Sequence, residues 1–565
     1  MEAGAGFGQT VRDGRARLDP LTLALLFVLW AGLSVFVLYP LARLLAVVFA
    51  ADGGVSIENL AKVFRNAYTR KALVNSLVLA AAVAVSGTFW GYLFAYSATR
   101  IPLPRAFRLF LRGVVILPFV SPPFTSSIAL TLALGPGGML LRLFHVPDLN
   151  LYGFPGTWIA ETLTYFPIAF LALSAILEAI DPNLEEAAAS LGGSRWRAFR
   201  TVTLPLSVPG IASSFLLLFG ASLTDFATPL VMAGHAFPVL TTQAYLQITG
   251  MYDLRGGAAI SFVLLLPALA VYLLQQAWVE RRSHVTRTGR GGPRSAPRGA
   301  GRLAGILVLS AVSAMTLFIL FLYSIIFLGS FVKVWGVDHS LTLKNYAYVF
   351  TVGLKAVRDT VLVALAATVF GTVVAVATGF LSARREVPFR RTLGFISLLN
   401  YILPGTVVGI AYVVAFNSGP LVLTGTMTIL VALCVFRYDA VGIRSTAASL
   451  RQIDPSLEEA SLSLGASRKR TFFRITLPLV APAVAGGARY LFVVSMTAIS
   501  ATVFLVSVRW SLLTVRILEC VTELLFAEAA AFSVVLVLIV FAASGAILLL
   551  VRLFAPHVLS DARRS

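Results

Sequence analysis

Charge is what this sequence has least of. Asp, Glu, Lys and Arg make up 12% of its 565 residues, about half the share usual in soluble domains. With 58% hydrophobic residues and a mean hydropathy of +0.88, that shortage excludes a soluble globular protein. Cysteine is nearly missing too. Cys434 and Cys520 lack CxxC or Cys/His spacing, which excludes the usual structural metal motifs and leaves both as packing residues. No GxxxxGK[ST] stretch occurs, so the chain has no P-loop of its own for nucleotide. No Ser/His/Asp constellation suggests hydrolysis, and no catalytic residue or metal ligand is assigned. Acidic residues are the scarcer sign, and the net charge is +20. A nucleic-acid partner is not the reading, because the basic residues fall at the ends of apolar runs and not in a patch among aromatics. A secretory signal is also absent: the first apolar run, Leu21 to Ala50, far exceeds a cleavable core of about 7–15 residues and reads as an uncleaved span.

What the sequence does have is long hydrophobic runs. A bilayer core takes about 20 apolar residues per helix. Runs of that kind lie near 21–49, 72–97, 109–134, 157–179, 208–232 and 257–278, and again near 303–330, 356–382, 393–416, 422–444, 480–505 and 529–553. The expected fold is an all-α polytopic membrane protein of about twelve spans in two groups of six. With the N-terminus inside, thirty of the 45 Lys and Arg fall in cytoplasmic segments, as the positive-inside bias demands. Both termini are then cytoplasmic. The expected division is an N-terminal segment 1–20, a first repeat 21–280, a basic linker 281–302, a second repeat 303–555 and a tail 556–565. The linker, rich in Gly, Pro, Ser and Arg, reads as a mobile tether, with binding to anionic lipid head groups as the second reading.

The two groups are copies. Residues 181–205, DPNLEEAAASLGGSRWRAFRTVTLP, return as 454–478, DPSLEEASLSLGASRKRTFFRITLP. Glu186 and Glu459 are 273 positions apart. Lys71-Ala72 and Gly87-Thr88 return at Lys355-Ala356 and Gly371-Thr372, an offset of 284, so the first half holds 11 additional residues (284 less 273). The outer loop 135–156 is where they are placed. Because each half has an even number of spans, the copies run parallel, related by an axis along the membrane normal.

Within 181–192 every residue favours a short self-capped helix. Asp181 suits the N-cap and Pro182 the first helical position. Glu185 and Glu186 favour the positive end of the helix dipole, the alanines favour helix, and Gly192 permits a left-handed ending. Ser194 and Ser467 can each cap a second, basic turn. Such a slim cytoplasmic helix, made twice, fits a cleft on a soluble partner.

Glu186-Ala187-Ala188, Gly192 and Val202-x-Leu204-Pro205 resemble the EAA-xxx-G-x9-I-x-LP signature of ABC importer permeases. Glu459-Ala460-Ser461, Gly465 and Ile475-x-Leu477-Pro478 resemble it again, with Ser for the second Ala. The likeness covers roughly 60–275 and 340–553. It implies the type I importer fold, two coupling helices seated in two ABC ATPase subunits, and a periplasmic substrate-binding protein. ATP and magnesium would sit on those subunits, with no cofactor in this chain. A fused chain with DPxLEEA before the loop looks most like the ferric-iron branch of the bacterial inner membrane. LTDFATPL (223–230) resembles that branch, whereas ISATVFLVS (499–507) has lost the acidic residue usual there. Phosphonate, thiamine, polyamine or sulfate is the alternative cargo, and an ion-coupled secondary transporter the alternative class.

Ionisable groups inside spans are costly and therefore candidates for the pathway. Asp225 in span five either lines it or makes a hydrogen bond between helices. Arg437 and Asp439 flank Tyr438 in span ten, where the two charges neutralise each other or another helix, or meet substrate. Glu161 lies near the outer start of span four. Pro118, Pro122, Pro123 and Pro404 are expected to kink or unwind spans three and nine. No chelating cluster of carboxylates, Tyr or His is visible in the spacing.

Overall fold

The computed structural model describes residues 20–51, 54–122, 124–135, 138, 151–279, 301–384 and 387–554. The linker 281–302, all but its last two residues, and most of the longer outer loop lie outside them. Among the described residues the fold is helical apart from two small antiparallel hairpins, Ala50–Ala51 with Gly54–Val55 and Val332–Val334 with Asp338–Leu341.

Among the described residues nine helices are long and apolar enough to cross a membrane singly, and two more spans are bent pairs. Arg105–Val120 turns by 100° into Thr125–Leu134, and Arg390–Ile402 by 105° into Gly405–Phe416. Proline causes both breaks. Ser121 precedes Pro122 and Leu403 precedes Pro404, and both are extended, with ψ of 157° and 146°. A residue before proline is pushed out of the helical region in this way. The remaining span is split: Met427–Tyr438 stops at Asp439 and resumes as Ala440–Gln452. That makes twelve positions in all.

Two expectations need correcting. Span five does not run to 232; it ends at Leu223, and the chain turns through Asp225 into the short helix Ala227–Met232. Span eleven likewise ends at Thr497, not 505. Each half then adds a ten-residue helix in the stretch left between two expected runs, Leu240–Thr249 and its copy Leu513–Thr522. Identical bonds hold these two helices. Ser76 Oγ accepts from the Leu240 amide at 2.9 Å, and Thr360 Oγ1 from the Leu513 amide at 2.7 Å. Thr241 donates to the Asp225 carbonyl at 2.7 Å, and Thr514 to that of Ala498 at 2.8 Å. The breaks after spans five and eleven therefore belong to the duplicated frame.

Close packing is repeated as well. A β-carbon on Gly87 would overlap Leu218, and one on Gly371 would overlap Leu491. Small residues let membrane helices approach this closely.

The first span of each half packs on the other half. Ser34–Leu38 forms a π turn, where the widened ladder leaves a carbonyl open to outside donors. The Phe36 carbonyl accepts from Tyr412 Oη at 2.7 Å and from Asn400 Nδ2 at 3.2 Å. In exchange, Arg302–Gly329 reaches the first half. Tyr323 Oη meets Ser121 Oγ at 2.7 Å, and Trp335 Nε1, just past that helix, donates to the Leu132 carbonyl at 3.0 Å. Each side chain thus satisfies a polar group that hydrocarbon would leave orphaned.

Candidate functional site

The two repeated loops fold alike. Pro182–Ser190 is capped by Asp181, which accepts from the Asn183 amide at 2.9 Å; Asp454 accepts from the Ser456 amide at 2.9 Å ahead of Ser456–Ser463. Both helices end in left-handed glycines, Gly192 (φ 80°) and Gly465 (φ 83°). The Gly193 amide then reaches the Ala188 carbonyl at 3.0 Å and the Ala466 amide that of Ser461 at 3.1 Å. These bonds are a Schellman ending. Second turns follow, capped by Ser194 and Ser467 through the amides of Arg197 and Arg470 at 3.2 and 3.3 Å. π turns at Phe199–Thr203 and Phe472–Thr476 lead into the spans that open with Leu204-Pro205 and Leu477-Pro478. The prolines bring no N–H to the ladder, which widens just ahead of them.

Sequence reasoning singled out Glu186 and Glu459, whereas the residues that anchor the loops are their neighbours. Glu185 is buried; its Oε1 accepts from Thr203 Oγ1 at 2.8 Å and lies 3.1 Å from Arg100 Nε, off the N–H axis. Arg100 also donates to the Ile180 carbonyl at 3.3 Å. The copy is complete. Glu458 takes Thr476 Oγ1 at 3.1 Å and lies 3.6 Å from Arg384 Nε, and Arg384 donates to the Ile453 carbonyl at 2.6 Å. Arg100 and Arg384, 284 positions apart like the other early repeats, were the signal that could have revealed these pins; the positive-inside bias had absorbed them.

What the loops show outward is acidic and apolar. Glu186 and Ala188 are half-buried; Glu459, Ala187 and Ala460 are exposed. Leu204 and Leu477 are half-buried, Pro205 and Pro478 exposed. Leu191 and Leu464 stand 88% and 89% exposed, and Leu184, Trp196 and Leu457 are exposed beside them. Single apolar residues on a surface are ordinary; here the two leucines recur in both loops, while Trp196 has Lys469 as its counterpart. Ser461, the departure from the pattern, is buried and meets Thr471 Oγ1 at 2.9 Å, where the first half has Ala188 and Ala198.

Between the halves lies a cavity of about 470 Å³. The first half contributes Pro118, Ser121, Thr164, Tyr165, Thr224 and Asp225; the second contributes Tyr401, Leu403, Arg437, Tyr438, Tyr490 and Ser500. Of the four pathway candidates, Asp225, Arg437 and Tyr438 line it. Asp439 does not: it is buried at the break in span ten, against Gly371 and Gly442. Nor does it pair with Arg437. The Arg437 guanidinium donates to the Asn400 and Leu403 carbonyls at 2.7 and 2.8 Å. These are the open carbonyls at the end of the bent helix, where a cation is favoured. The same guanidinium sits 5.4 Å from the Tyr438 ring centre.

Asp225 closes the turn after span five. Its Oδ1 accepts from the amides of Ala227 and Thr228 at 3.0 and 3.5 Å, while Oδ2 is buried without a well-formed hydrogen bond. Glu161, fully buried one helical turn from Tyr165, accepts from Ser222 Oγ, and its other oxygen has no partner. Tyr165 and both carboxylates are electrostatic neighbours. The folded chain thus gathers Glu161, Tyr165 and Asp225, which their spacing had kept apart. Among the described residues no three His, Cys, Asp or Glu side chains converge.

Two swapped halves around a largely apolar cavity with a few polar and charged side chains, each carrying the same capped surface helix, fit a membrane transport subunit. The chain belongs to the family of binding-protein-dependent transport system inner membrane components, whose sequence profile matches residues 87–285 and again 371–560. It is the permease of an ABC importer, a multi-pass membrane subunit. The ferric transport system permease protein FbpB of Actinobacillus pleuropneumoniae is 34% identical over 559 residues, 95% of this chain and 79% of that protein. A putative FbpB 1 of Haemophilus influenzae is 34% identical over 509 residues, 86% and 78% respectively. The molybdenum transport system permease protein ModB of Haemophilus influenzae aligns with 37% of this chain and 94% of its own length, at 29% identity.

Proposed function

We propose that the chain forms the pathway for ferric iron across the inner membrane, with both termini in the cytoplasm. Two ABC ATPase subunits carrying ATP and magnesium dock under Pro182–Ser190 and Ser456–Ser463. A periplasmic binding protein delivers cargo at the opposite face. The observation that carries the docking is the duplicated loop, with outward leucines on a helix pinned from behind by Arg100–Glu185 or Arg384–Glu458. Cargo rests on the two long relatives named for ferric transport.

The pins suggest how force would travel. Arg100 ends the second span and also holds the Ile180 carbonyl, where the fourth span stops. A push on Pro182–Ser190 therefore reaches two spans as one body, and Arg384 with Ile453 does the same in the copy. When the ATPase subunits close, the docking helices approach each other and the halves tilt to open the cavity outward. Substrate is accepted in that state, and ATP hydrolysis resets the complex.

The test is reconstitution of the complex with its co-purifying ATPase and uptake of labelled iron from the loaded binding protein. ATP-dependent iron uptake is expected. Robust phosphonate uptake with no iron uptake would overturn the cargo, and transport without any ATPase would overturn the docking.

A further inference from the structure

We propose that Tyr165 and Asp225, with Glu161 directly behind them, form a way-station for a hard trivalent cation on the first-half wall of the cavity. The inference rests on the ferric cargo reading and assigns it a place in the membrane.

Three observations converge. First, Tyr165 and Asp225 both line the cavity, on two elements that the duplicated frame holds still. The Asp225 backbone carbonyl is tied by Thr241 and its Oδ1 by two amides, so Oδ2 is fixed in direction. Second, Glu161 Oε1 is buried with no hydrogen-bond partner, and Asp225 Oδ2 is buried with no well-formed hydrogen bond, the Tyr165 hydroxyl being its polar neighbour on the cavity side; the two residues are 0% and 6% exposed. A buried acceptor left open costs about 1–3 kcal/mol, and native structures keep such groups where they serve a ligand or a reaction. Third, the donors are of one chemical kind. Carboxylate and phenolate oxygens are hard ligands, suited to hard, highly charged cations and poorly suited to soft ones.

The opposite wall directs the cation to this side. At the 273-residue offset Glu161 corresponds to Cys434, Asp225 to Ala498 and Thr164 to Arg437, while Tyr165 corresponds to Tyr438. The second half has thus replaced both carboxylates and fixed a guanidinium beside its tyrosine. A cation entering the cavity meets attraction from one wall and repulsion from the other. Binding is an exchange of protons for the ion: the Tyr165 phenol releases its proton to solvent in the cavity as its oxygen coordinates. No electron is transferred.

Ferric nitrilotriacetate titrated into the purified full-length chain tests this, read by visible phenolate-to-iron charge-transfer absorbance. Tyr165→Phe keeps the ring, and Asp225→Asn keeps the oxygen that caps Ala227–Met232, so both variants should fold. Wild type is expected to develop the band, Tyr165→Phe to lose it, and Asp225→Asn to weaken binding about tenfold or more, since even supporting partners of a metal site are worth about 10–100-fold. Iron uptake by the complexes should fall in parallel, while a Glu186→Ala variant keeps the band. Iron uptake without a band in wild type, or a band that survives Tyr165→Phe, would overturn the way-station and leave the cargo reading standing. A band at Tyr165 with no iron uptake would support the site and overturn the cargo. Neither band nor uptake would overturn both.

Discussion

At the docking loops the halves repeat the same pin, Thr203–Glu185–Arg100 against Thr476–Glu458–Arg384. At the cavity they do not: Glu161 and Asp225 correspond to Cys434 and Ala498, and Thr164 to Arg437. The frame between the two regions is shared, down to the threonines at 241 and 514 that hold the breaks after spans five and eleven. The difference separates two demands on one duplicated fold. On the proposed function, an end that docks two like ATPase subunits gains from staying two-fold. A cavity between the halves that passed the proposed ferric ion would gain nothing from matching walls. Divergence has accumulated where symmetry has no use.

The largest expected effect tests the frame. Arg100 and Glu185 are both 3% exposed, so Arg100→Ala strands a buried carboxylate and should cost about 3–5 kcal/mol. Arg384→Ala should cost nearer 1 kcal/mol, because Glu458 is 23% exposed and water screens the loss. Unfolding of the purified variants reads both, and equal losses would break this ranking of the pins.

Next in size is coupling. Glu186→Lys with Glu459→Lys should lower ATP-driven uptake by about tenfold or more, the scale of losing a charge contact in an interface, with the chain still folded. The single variants should lie close together. Normal transport by the double variant would sink the docking assignment.

A smaller effect concerns the Ser461–Thr471 contact of the second loop, where the first loop has two alanines. Ser461→Ala or Thr471→Ala alone should cost about 1 kcal/mol by leaving a hydroxyl unpaired. The double variant recreates the Ala188 and Ala198 pairing of the first half and should recover most of it. Additive losses in a double-mutant cycle would show that the contact is not a unit.

The smallest is a pH effect at a cap. The Ser456 amide and hydroxyl hold the exposed Asp454 carboxyl below the ordinary range. A carboxyl lowered in the folded state stabilises above its unfolded value near 3.9 and loses that contribution as pH falls through the folded value. Asp454→Ala should therefore destabilise to the same extent from neutral pH down to about 5, and match wild type in strong acid. A difference that grows on acidification would contradict the cap.

Local signals were legible in the sequence. Caps, left-handed glycines and the duplicated helices are each written within a dozen residues, and proline placed the bends in spans three and nine. The helices at 240–249 and 513–522 escaped because LTTQAYLQIT and LTVRILECVT are too short and too polar to read as spans and fall between the expected runs, although Leu-Thr recurs at 240 and 513. The Arg–Glu pins escaped because a basic residue at a span end already had an explanation. Glu161 and Asp225 were each legible as candidates, but their pairing escaped for a different reason. Sixty-four positions of chain separate them, and only the packing of span four on the break after span five brings them together. Pairing of that kind is a property of the fold, and no local spacing encodes it.

The swapped first span has a consequence in time. Phe36 and the Tyr412 hydroxyl that satisfies its carbonyl are 376 residues apart. At a synthesis rate of about 5–20 residues per second, roughly 20–75 s pass between making one and making the other. During that interval the first helix is in the bilayer without the surface built to receive it. Until then the carbonyl that the π turn frees has no Tyr412 or Asn400 to accept from.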